Sequence, residues 1–226
     1  MDYSWLMFDA DGTLFDYDRA ETAALEATIS EVGLKFDDHV LLIYRQINGR
    51  MWQEFEQGSM SQERLKSERF RVLCTQLGVD LDYEYMSHRY QSNLALGTYL
   101  IDGADELLEE LNGRYRIALI TNGLKDVQRP RIAESTVRDR FSTIIISEEV
   151  GVAKPDSKIF DIAFQKMNHP QKDQVLIIGD SLSSDITGGI NYGIDTCWYN
   201  PMGHEHPSGM DIRFEIRALN ELLDFL

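Results

Sequence analysis

The sequence is poor in positive charge. It holds 22 Lys and Arg residues against 38 Asp and Glu residues, which gives a formal net charge of −16 at pH 7. Such a charge repels polyanions, so it argues against binding to nucleic acid polymers and against adsorption to anionic membranes. A substrate that carries a phosphate group would need local cations in its binding site to overcome the surrounding negative field.

Cysteine and long apolar runs are also scarce. The two cysteines, Cys74 and Cys197, lie far apart and form no C-x-x-C pattern, so we expect reduced structural thiols. No apolar run reaches the ~18 residues that a membrane span requires. The chain opens on an apolar strand pattern, without the basic segment and apolar stretch of a secretory leader. We therefore expect a cytoplasmic protein with no membrane partner.

Short apolar runs alternate with helical patterns along most of the chain, which is typical of βα units around a parallel sheet. Each run is nearly continuous in apolar residues, as expected for strands that are covered on both faces. The predicted fold class is therefore α/β. The predicted strands cover residues 3–8, 117–121, 143–147, 175–179 and 196–199. The predicted helices between and after them cover residues 104–111, 158–166, 186–191 and 218–225.

The interval between Asp18 and Asn93 breaks this alternation. It contains no convincing strand pattern, although a crossover between parallel strands needs only about a dozen residues. We predict an inserted helical cap domain over residues 18–94, and a catalytic core formed by residues 1–17 and 95–226. Such an insert can close as a lid over the edge of the sheet. Its predicted helices cover residues 20–32, 38–57, 61–77 and 83–94, the third of them capped by Ser61.

Four carboxylates follow two of the predicted strands. Asp9 and Asp11 come directly after the first strand, and Asp180 and Asp185 come after the fourth. The carboxyl ends of parallel strands share one edge of the sheet, where α/β proteins bind their ligands. Acids that converge there cannot all stay ionised without a counter-charge. A hard divalent cation with oxygen ligands, such as Mg²⁺, would supply it.

The same edge is predicted to carry a hydroxyl and a cation. Thr121 and Asn122 end the second predicted strand, and Lys154 lies in a loop after the third. A carboxylate can act as a nucleophile toward phosphorus, and phosphoryl transfer depends mainly on positioning and charge neutralisation. The set of residue types therefore favours phosphoryl transfer.

These segments resemble the four motifs of the haloacid dehalogenase superfamily, in order and across the whole chain. The ordered set, in which each segment follows a strand, is far more specific than any one of its members. The resemblance implies a Rossmann-like three-layer α/β/α core and a C1-type helical cap between the first two motifs. The matching residues are Asp9-x-Asp11-Gly12-Thr13, Thr121, Lys154-Pro155 and Gly179-Asp180-x4-Asp185.

The resemblance implies a catalytic role for several of these residues. Asp9 is expected to be the nucleophile that becomes an aspartyl phosphate. Asp11 is expected to protonate the leaving alcohol and then to activate water. Thr121, Asn122 and Lys154 are expected to bind the phosphoryl group.

A metal site also follows from the resemblance. Mg²⁺ is expected to be held by Asp9, by the main-chain carbonyl of Asp11 and by Asp180. Asp185 is expected to act on the metal through a water molecule, or to orient Lys154.

A closer resemblance is to the bacterial pyrimidine 5′-nucleotidases of this superfamily. It implies a small phosphomonoester substrate, namely a nucleoside monophosphate such as dUMP, UMP or dTMP, or a non-standard pyrimidine nucleotide. Pro130 is expected to interrupt a segment that these relatives keep helical. The segments that carry the resemblance are 52–58, 146–155, 185–193 and 197–200, with Pro207 and Gly209.

Other functions stay open at this point. A sugar-phosphate phosphatase or phosphomutase of the same superfamily would need the same four motifs. A non-catalytic binding protein on this fold would be expected to have lost Asp9, Asp11 or Lys154. Dehalogenases of the superfamily lack the second acid of the first motif, which Asp11 supplies. The sequence does not distinguish a monomer from a homodimer.

Two further patterns have ordinary structural interpretations. Trp52 and Phe55 lie three residues apart on a predicted helix, which favours packing within the cap over stacking on a base. His204 and His206 lack a nearby third ligand, which favours a solvated loop over a metal pair.

Overall fold

A parallel β-sheet lies at the centre of the protein. The computed structural model describes residues 3–226, so Met1 and Asp2, which the predicted core includes, lie outside the described residues. The strands are β1 (Trp5–Phe8), β2 (Arg116–Thr121), β3 (Thr143–Ile146), β4 (Val175–Gly179), β5 (Asp195–Tyr199) and β6 (Phe214–Ile216). All neighbours pair in parallel, in the order β3-β2-β1-β4-β5-β6. The α/β fold class is confirmed.

Helices precede, connect and cover these strands. They are α1 (Tyr17–Glu31), α2 (Asp38–Glu56), α3 (Gln62–Leu77), α4 (Tyr83–Leu94), α5 (Ala104–Leu111), α6 (Lys125–Glu134), α7 (Ser147–Val150), α8 (Ser157–Lys166) and α9 (Thr187–Tyr192). The predicted cap at Ser61 is present, since its Oγ accepts a hydrogen bond from the main-chain N–H of Arg64 at 3.2 Å. Within residues 3–226, no helix combines the length and the apolar character needed to cross a membrane.

The sheet is covered on both faces. Side chains alternate along a strand, so Leu6 and Phe8 of β1 belong to a hydrophobic cluster that includes α5. Trp5 and Met7 point the other way, into a cluster that includes α8. Both sets are buried, which explains why the strand patterns are continuously apolar. The core therefore has the three-layer α/β/α arrangement.

Helices α1 to α4, which we call the helical layer, pack around a hydrophobic cluster that Leu124 and Val127 at the start of α6 also join. Two linkers join this layer to the sheet, residues 12–16 and residues 95–103. The linkers run side by side, because the main-chain N–H of Asp16 donates to the carbonyl of Tyr99 at 3.0 Å and Phe15 forms a β-bridge with Leu100. The division of the chain into a core and an inserted cap domain stays a prediction.

Two local expectations differ from the structure. The helix predicted over residues 218–225 is present over Leu219–Asp224, but it is a 3₁₀ helix and not an α-helix. Leu219 and Leu222 lie three residues apart, so the 3₁₀ geometry turns both of them into the core. Pro130 does not interrupt its segment either, since α6 continues through it. Burial of neighbouring residues such as Val127 outweighs the hydrogen bond that a proline cannot donate.

The strand order explains where the polar segments meet. The chain builds the sheet outward from β1 to β3 on one side and from β4 to β6 on the other, so the order reverses between β1 and β4. Open parallel sheets bind ligands beyond the carboxyl ends of the strands at such a point. Phe8 of β1 is in register with Leu119 of β2 and with Ile178 of β4. The segments that follow β1, β2 and β4 therefore leave the sheet together.

Candidate active site

Three predicted acids converge at this edge of the sheet. Carboxylate oxygens of Asp9, Asp180 and Asp185 all lie within 4.8 Å of one another, which suits a metal ion. Asp9 continues the β1 ladder, since its main-chain N–H donates to the carbonyl of Ile178 at 2.9 Å. Asp185 is fully buried in the π-helical turn that follows β4. The residues therefore reach one point from two neighbouring strands.

Lys154 provides the cation of this group. Its Nζ donates to Oδ1 of Asp9, to Oδ1 of Asp185 at 2.6 Å and to the carbonyl of Ile120 at 2.8 Å. The side chain is 1% exposed. Burial alone would lower the pKa of Lys154, but the carboxylates of Asp185 and Asp9 outweigh it and raise the pKa above its ordinary value. Lys154 is therefore a fixed positive charge beside Asp9.

One lysine does not balance the three acids. Burial raises the pKa of Asp9 well above its ordinary range against the opposing charge of Lys154, and Asp185 and Asp180 raise it further. Burial and the charge of Asp185 likewise raise the pKa of Asp180 to about 7. Three ionised carboxylates and one lysine leave two negative charges. A divalent cation with oxygen ligands matches this deficit, so the residues fit the predicted metal.

Asp180 is held by the turn that follows Asp9. Gly12 has a φ of +86°, and a Cβ at this position would lie 2.6 Å from Oδ2 of Asp180. Thr13 donates from its hydroxyl to Oδ1 of the same carboxylate at 3.1 Å, and the indole N–H of Trp198 donates to the Asp180 carbonyl at 2.9 Å. The first motif therefore supplies Asp9 and also orients the acid of the fourth motif.

Thr121 and Asn122 lie at the end of β2, beside Lys154. Thr121 is buried, and its Oγ1 accepts a hydrogen bond from the main-chain N–H of Gly123 at 3.1 Å. The side chain of Asn122 is engaged by the main chain of Lys154, with bonds of 2.9 Å to its carbonyl and 2.8 Å from its N–H. Asn122 therefore fixes the lysine loop. A contact between Asn122 and a phosphoryl group stays a prediction, and it would come from its main chain.

Asp11 lies next to Asp9, but its carboxylate faces α6. Its Oδ1 accepts a hydrogen bond from Nη1 of Arg131 at 2.6 Å, and its Oδ2 accepts one from Nε2 of Gln128 at 2.5 Å. Sequence reasoning missed both partners because it did not predict α6. Their spacing of three residues, which places them on one helix face, is the signal that could have revealed them.

The converging residues open into a cleft of about 520 Å³ between the sheet edge and the helical layer. Trp52 contributes to the cluster of the helical layer, as predicted, and it also lines this cleft. His204 lies in the cleft wall as well, at an exposed position. Within residues 3–226, the metal-type cluster consists of the three acids and does not include His204 or His206.

Polar contacts join the helical layer to the core around this cleft. Ser183 donates to Oε2 of Glu56 at 2.7 Å. Lys66 forms an ion pair of 2.6 Å with Glu148, and Gln62 donates to the carbonyl of Asn122 at 3.1 Å. The helical layer is therefore docked on the sheet edge in this structure.

The raised pKa of Asp180 predicts opposite effects of pH on the metal-free and metal-loaded protein. Its folded-state pKa of about 7 lies above the ordinary value, so the metal-free fold loses stability as pH rises from about 4 to about 7. A divalent cation needs the ionised carboxylate and binds more tightly at high pH. We expect MgCl₂ to raise the melting temperature more at pH 8 than at pH 5, measured by differential scanning fluorimetry. An equal shift at both pH values would contradict this assignment.

The sequence is similar to a protein family and to individual bacterial enzymes over most of its length. It matches the haloacid dehalogenase-like hydrolase family profile over residues 6–199. The pyrimidine 5′-nucleotidase YjjG of Escherichia coli K12 is 34% identical over 226 residues, covering 100% of this chain and 99% of the relative. The pyrimidine 5′-nucleotidase PynA of Streptococcus pneumoniae is 35% identical over 227 residues, covering 100% and 96%. The similarity therefore extends over both the sheet and the helical layer.

Solved structures show the same architecture. The hydrolase YfnB of Bacillus subtilis, whose crystal structure is bound to magnesium and reveals interdomain movement, superposes with a TM-score of 0.94 at 32% identity. The match covers 99% of this chain and 98% of that chain. A 2-haloacid dehalogenase of Pseudomonas syringae shares the fold with a TM-score of 0.66 at 22% identity.

Proposed function

The chain belongs to the haloacid dehalogenase-like hydrolase family, and on this premise we propose a specific reaction for it. The protein is proposed to be a Mg²⁺-dependent phosphomonoesterase that hydrolyses pyrimidine nucleoside 5′-monophosphates through an aspartyl phosphate. Its expected substrates include dUMP, UMP, dTMP and non-standard pyrimidine nucleotides. The observation that carries the proposal is the buried contact of Lys154 with Asp9 and Asp185, beside Asp180 at the switch point of the sheet.

In the first proposed step, a carboxylate oxygen of Asp9 attacks phosphorus and the bond to the 5′-oxygen breaks. Lys154 donates to Asp9, and Thr121 lines the same cleft. Both are suited to the charge on the phosphoryl oxygens, since Lys154 is cationic and Thr121 carries a hydroxyl. Lys154 also fixes the orientation of the Asp9 carboxylate. The product of this step is a nucleoside and an aspartyl phosphate.

Asp11 is proposed to move the protons. It gives a proton to the departing 5′-oxygen, and it then takes one from the water that attacks phosphorus in the aspartyl phosphate. The bond between phosphorus and the Asp9 oxygen breaks in this second step, which releases inorganic phosphate and restores Asp9. General acid–base help of this kind contributes typically ~10²–10⁴-fold to the rate.

Asp9, Asp180 and the main-chain carbonyl of Asp11 are proposed as the groups that would hold Mg²⁺. When bound, it would neutralise charge on the phosphoryl group and on the three acids. Asp185 is proposed to act mainly on Lys154, because Oδ1 already accepts from the lysine and Oδ2 accepts from the Ser181 N–H at 3.1 Å.

The nucleotide part of the proposal is supported by the relatives and by the cleft. YjjG and PynA, both named pyrimidine 5′-nucleotidases, align over the whole chain. A cleft of about 520 Å³ falls within the ~300–1,000 Å³ that small-molecule sites commonly occupy. The aromatic side chains of Tyr17 and Trp52 line it and are suited to contact a base.

Phosphate release from a panel of nucleotides and sugar phosphates tests the proposal. We expect release with Mg²⁺ to be fastest for UMP, dUMP or dTMP, and EDTA to reduce it to background until Mg²⁺ is restored. Faster release from sugar phosphates would overturn the nucleotide assignment and leave the phosphatase chemistry. Release that is unchanged by EDTA would overturn the metal assignment.

A further inference from the structure

The carboxylate of Asp11 is held on both oxygens by α6. Arg131 donates from Nη1 to Oδ1 at 2.6 Å, and Gln128 donates from Nε2 to Oδ2 at 2.5 Å. Both donors are buried, with Arg131 at 0% and Gln128 at 1% exposure. Burying the charge of an arginine costs free energy unless the charge is paired and hydrogen-bonded. We call these two side chains, Gln128 and Arg131, the clamp.

Arg131 also contacts both linkers of the helical layer. Its Nε donates to the carbonyl of Gly97 in the second linker at 2.9 Å. Its guanidinium lies over the ring of Phe15 in the first linker, 5.2 Å from the centroid. One side chain therefore touches Asp11 and the two segments that carry the helical layer.

The linker segment at Gly97, which accepts the hydrogen bond from Arg131, also packs against the helical layer. A Cβ on Gly97 would lie 2.6 Å from the Cβ of Ala20 in α1. The linker main chain therefore packs directly on α1. A displacement of α1 would move the carbonyl to which Arg131 is bound.

The clamp retains unused hydrogen-bonding capacity. Oε1 of Gln128 and Nη2 of Arg131 are buried and have no hydrogen-bond partner among residues 3–226. Buried polar atoms in folded proteins are nearly always paired. Nη2 of Arg131 is a donor that can bind the Asp11 carboxylate in a second position. Oε1 of Gln128 is an acceptor, so it can bind only the protonated form of Asp11, which donates from its O–H.

We propose that Gln128 and Arg131 position Asp11 for proton transfer and couple its position to the linkers of the helical layer. The inference rests on the proposed function, because it concerns the residue assigned to proton transfer. Closure or opening of the helical layer would shift Gly97 and Phe15, and Arg131 would transmit that shift to Asp11. Proton transfer would thereby depend on whether the layer is docked.

Substrates with different leaving groups test the clamp. UMP leaves as an alkoxide that needs a proton, whereas p-nitrophenyl phosphate leaves as a stable anion that does not. We expect Arg131→Lys and Gln128→Met to lower kcat/KM for UMP by about 10- to 100-fold. For p-nitrophenyl phosphate, we expect a loss of less than about threefold. Asp11→Asn sets the scale of a complete loss, and Phe15→Leu should give a smaller loss with the same selectivity.

Arg129→Met is the matched control. Arg129 lies on the same helix and forms an exposed ion pair with Glu149 at 2.6 Å, so its removal should leave kcat/KM unchanged on both substrates. Circular dichroism establishes folding, and Gln128→Met keeps the test available if Arg131→Lys does not fold. Equal losses on both substrates would overturn the proposal in favour of a packing role, and unchanged values on both would also overturn it. A Phe15→Leu variant without selectivity would overturn the coupling to the linkers.

Failure of the clamp and failure of the proposed function are distinguishable in this experiment. If the wild-type protein releases no phosphate from either substrate, the proposed function is wrong, and so is the proposed role of the clamp. If the wild-type protein is active and the clamp variants keep its ratio of kcat/KM values, only the clamp is wrong.

Discussion

Replacing Asp9 by Asn is expected to abolish phosphate release while the protein stays folded. Loss of a covalent nucleophile reduces turnover by on the order of 10⁴- to 10⁶-fold. The fold should tolerate the amide, because burial already disfavours the charged form of Asp9 and raises its pKa. Lys154 also pairs with Asp185 at 2.6 Å, so we expect it to retain an ionised partner in the variant. Phosphate release and melting temperature, measured side by side, check both halves of the prediction.

The matched control for this variant is Asp173→Asn, at an exposed position before β4. It should release phosphate at the wild-type rate. A further distinction comes from Mg²⁺, which should raise the melting temperature of Asp9→Asn less than that of the wild-type protein, since one ligand has lost its charge. Turnover by Asp9→Asn close to the wild-type rate would remove Asp9 from the role of nucleophile.

Replacing Lys154 by Met is expected to affect both stability and activity. The substitution leaves Asp9 and Asp185 buried beside each other without their cation. Breaking a buried ion pair by removing one partner costs about 3–5 kcal/mol, which corresponds to a melting temperature lower by on the order of 10 °C in a chain of this size. Phosphate release should fall by at least about 10³-fold, because a charge aimed at the phosphoryl group is lost.

The pH dependence of this variant separates the charge effect from a packing effect. Burial raises the pKa of Asp9, so acid protonates Asp9 and removes its repulsion with Asp185. The difference in melting temperature from the wild-type protein should therefore shrink from pH 8 to pH 5. Lys158→Met removes an exposed lysine nearby and should change neither stability nor activity. A difference that stays constant with pH would indicate that Lys154 contributes packing and not charge.

The sheet and its polar edge were predictable because the signals are local. A strand that is buried on both faces must be apolar throughout, and β1 is buried at each of its residues. Asp9 and Asp180 follow such strands directly, Thr121 ends one, and Lys154 lies in the segment after another. Parallel topology therefore brings these segments to one edge of the sheet. The order of the motifs then indicated the superfamily, and the resemblance implied a catalytic role for each residue. These roles stay predictions.

The rest depended on contacts between distant parts of the chain. Helix α6 contains Pro130 and has little apolar periodicity, because its inward face carries Gln128 and Arg131. The burial of Arg131 was hard to predict, since an arginine usually lies on a solvated surface, and its spacing of three residues from Gln128 was the one indication. The role of Asn122 was equally hidden, because its amide binds the main chain of Lys154, 32 residues away.

The adjacent linkers have a consequence for how such enzymes diversify. Because the main chain of Asp16 is hydrogen-bonded to that of Tyr99, the segment between them begins and ends at nearly the same place. A replacement of different length or shape could be accommodated there without stretching the sheet. Selection could therefore exchange the helical layer, which lines the cleft, while the residues at the sheet edge are inherited unchanged. The link from Arg131 to Gly97 would be the feature that each newly acquired segment has to match.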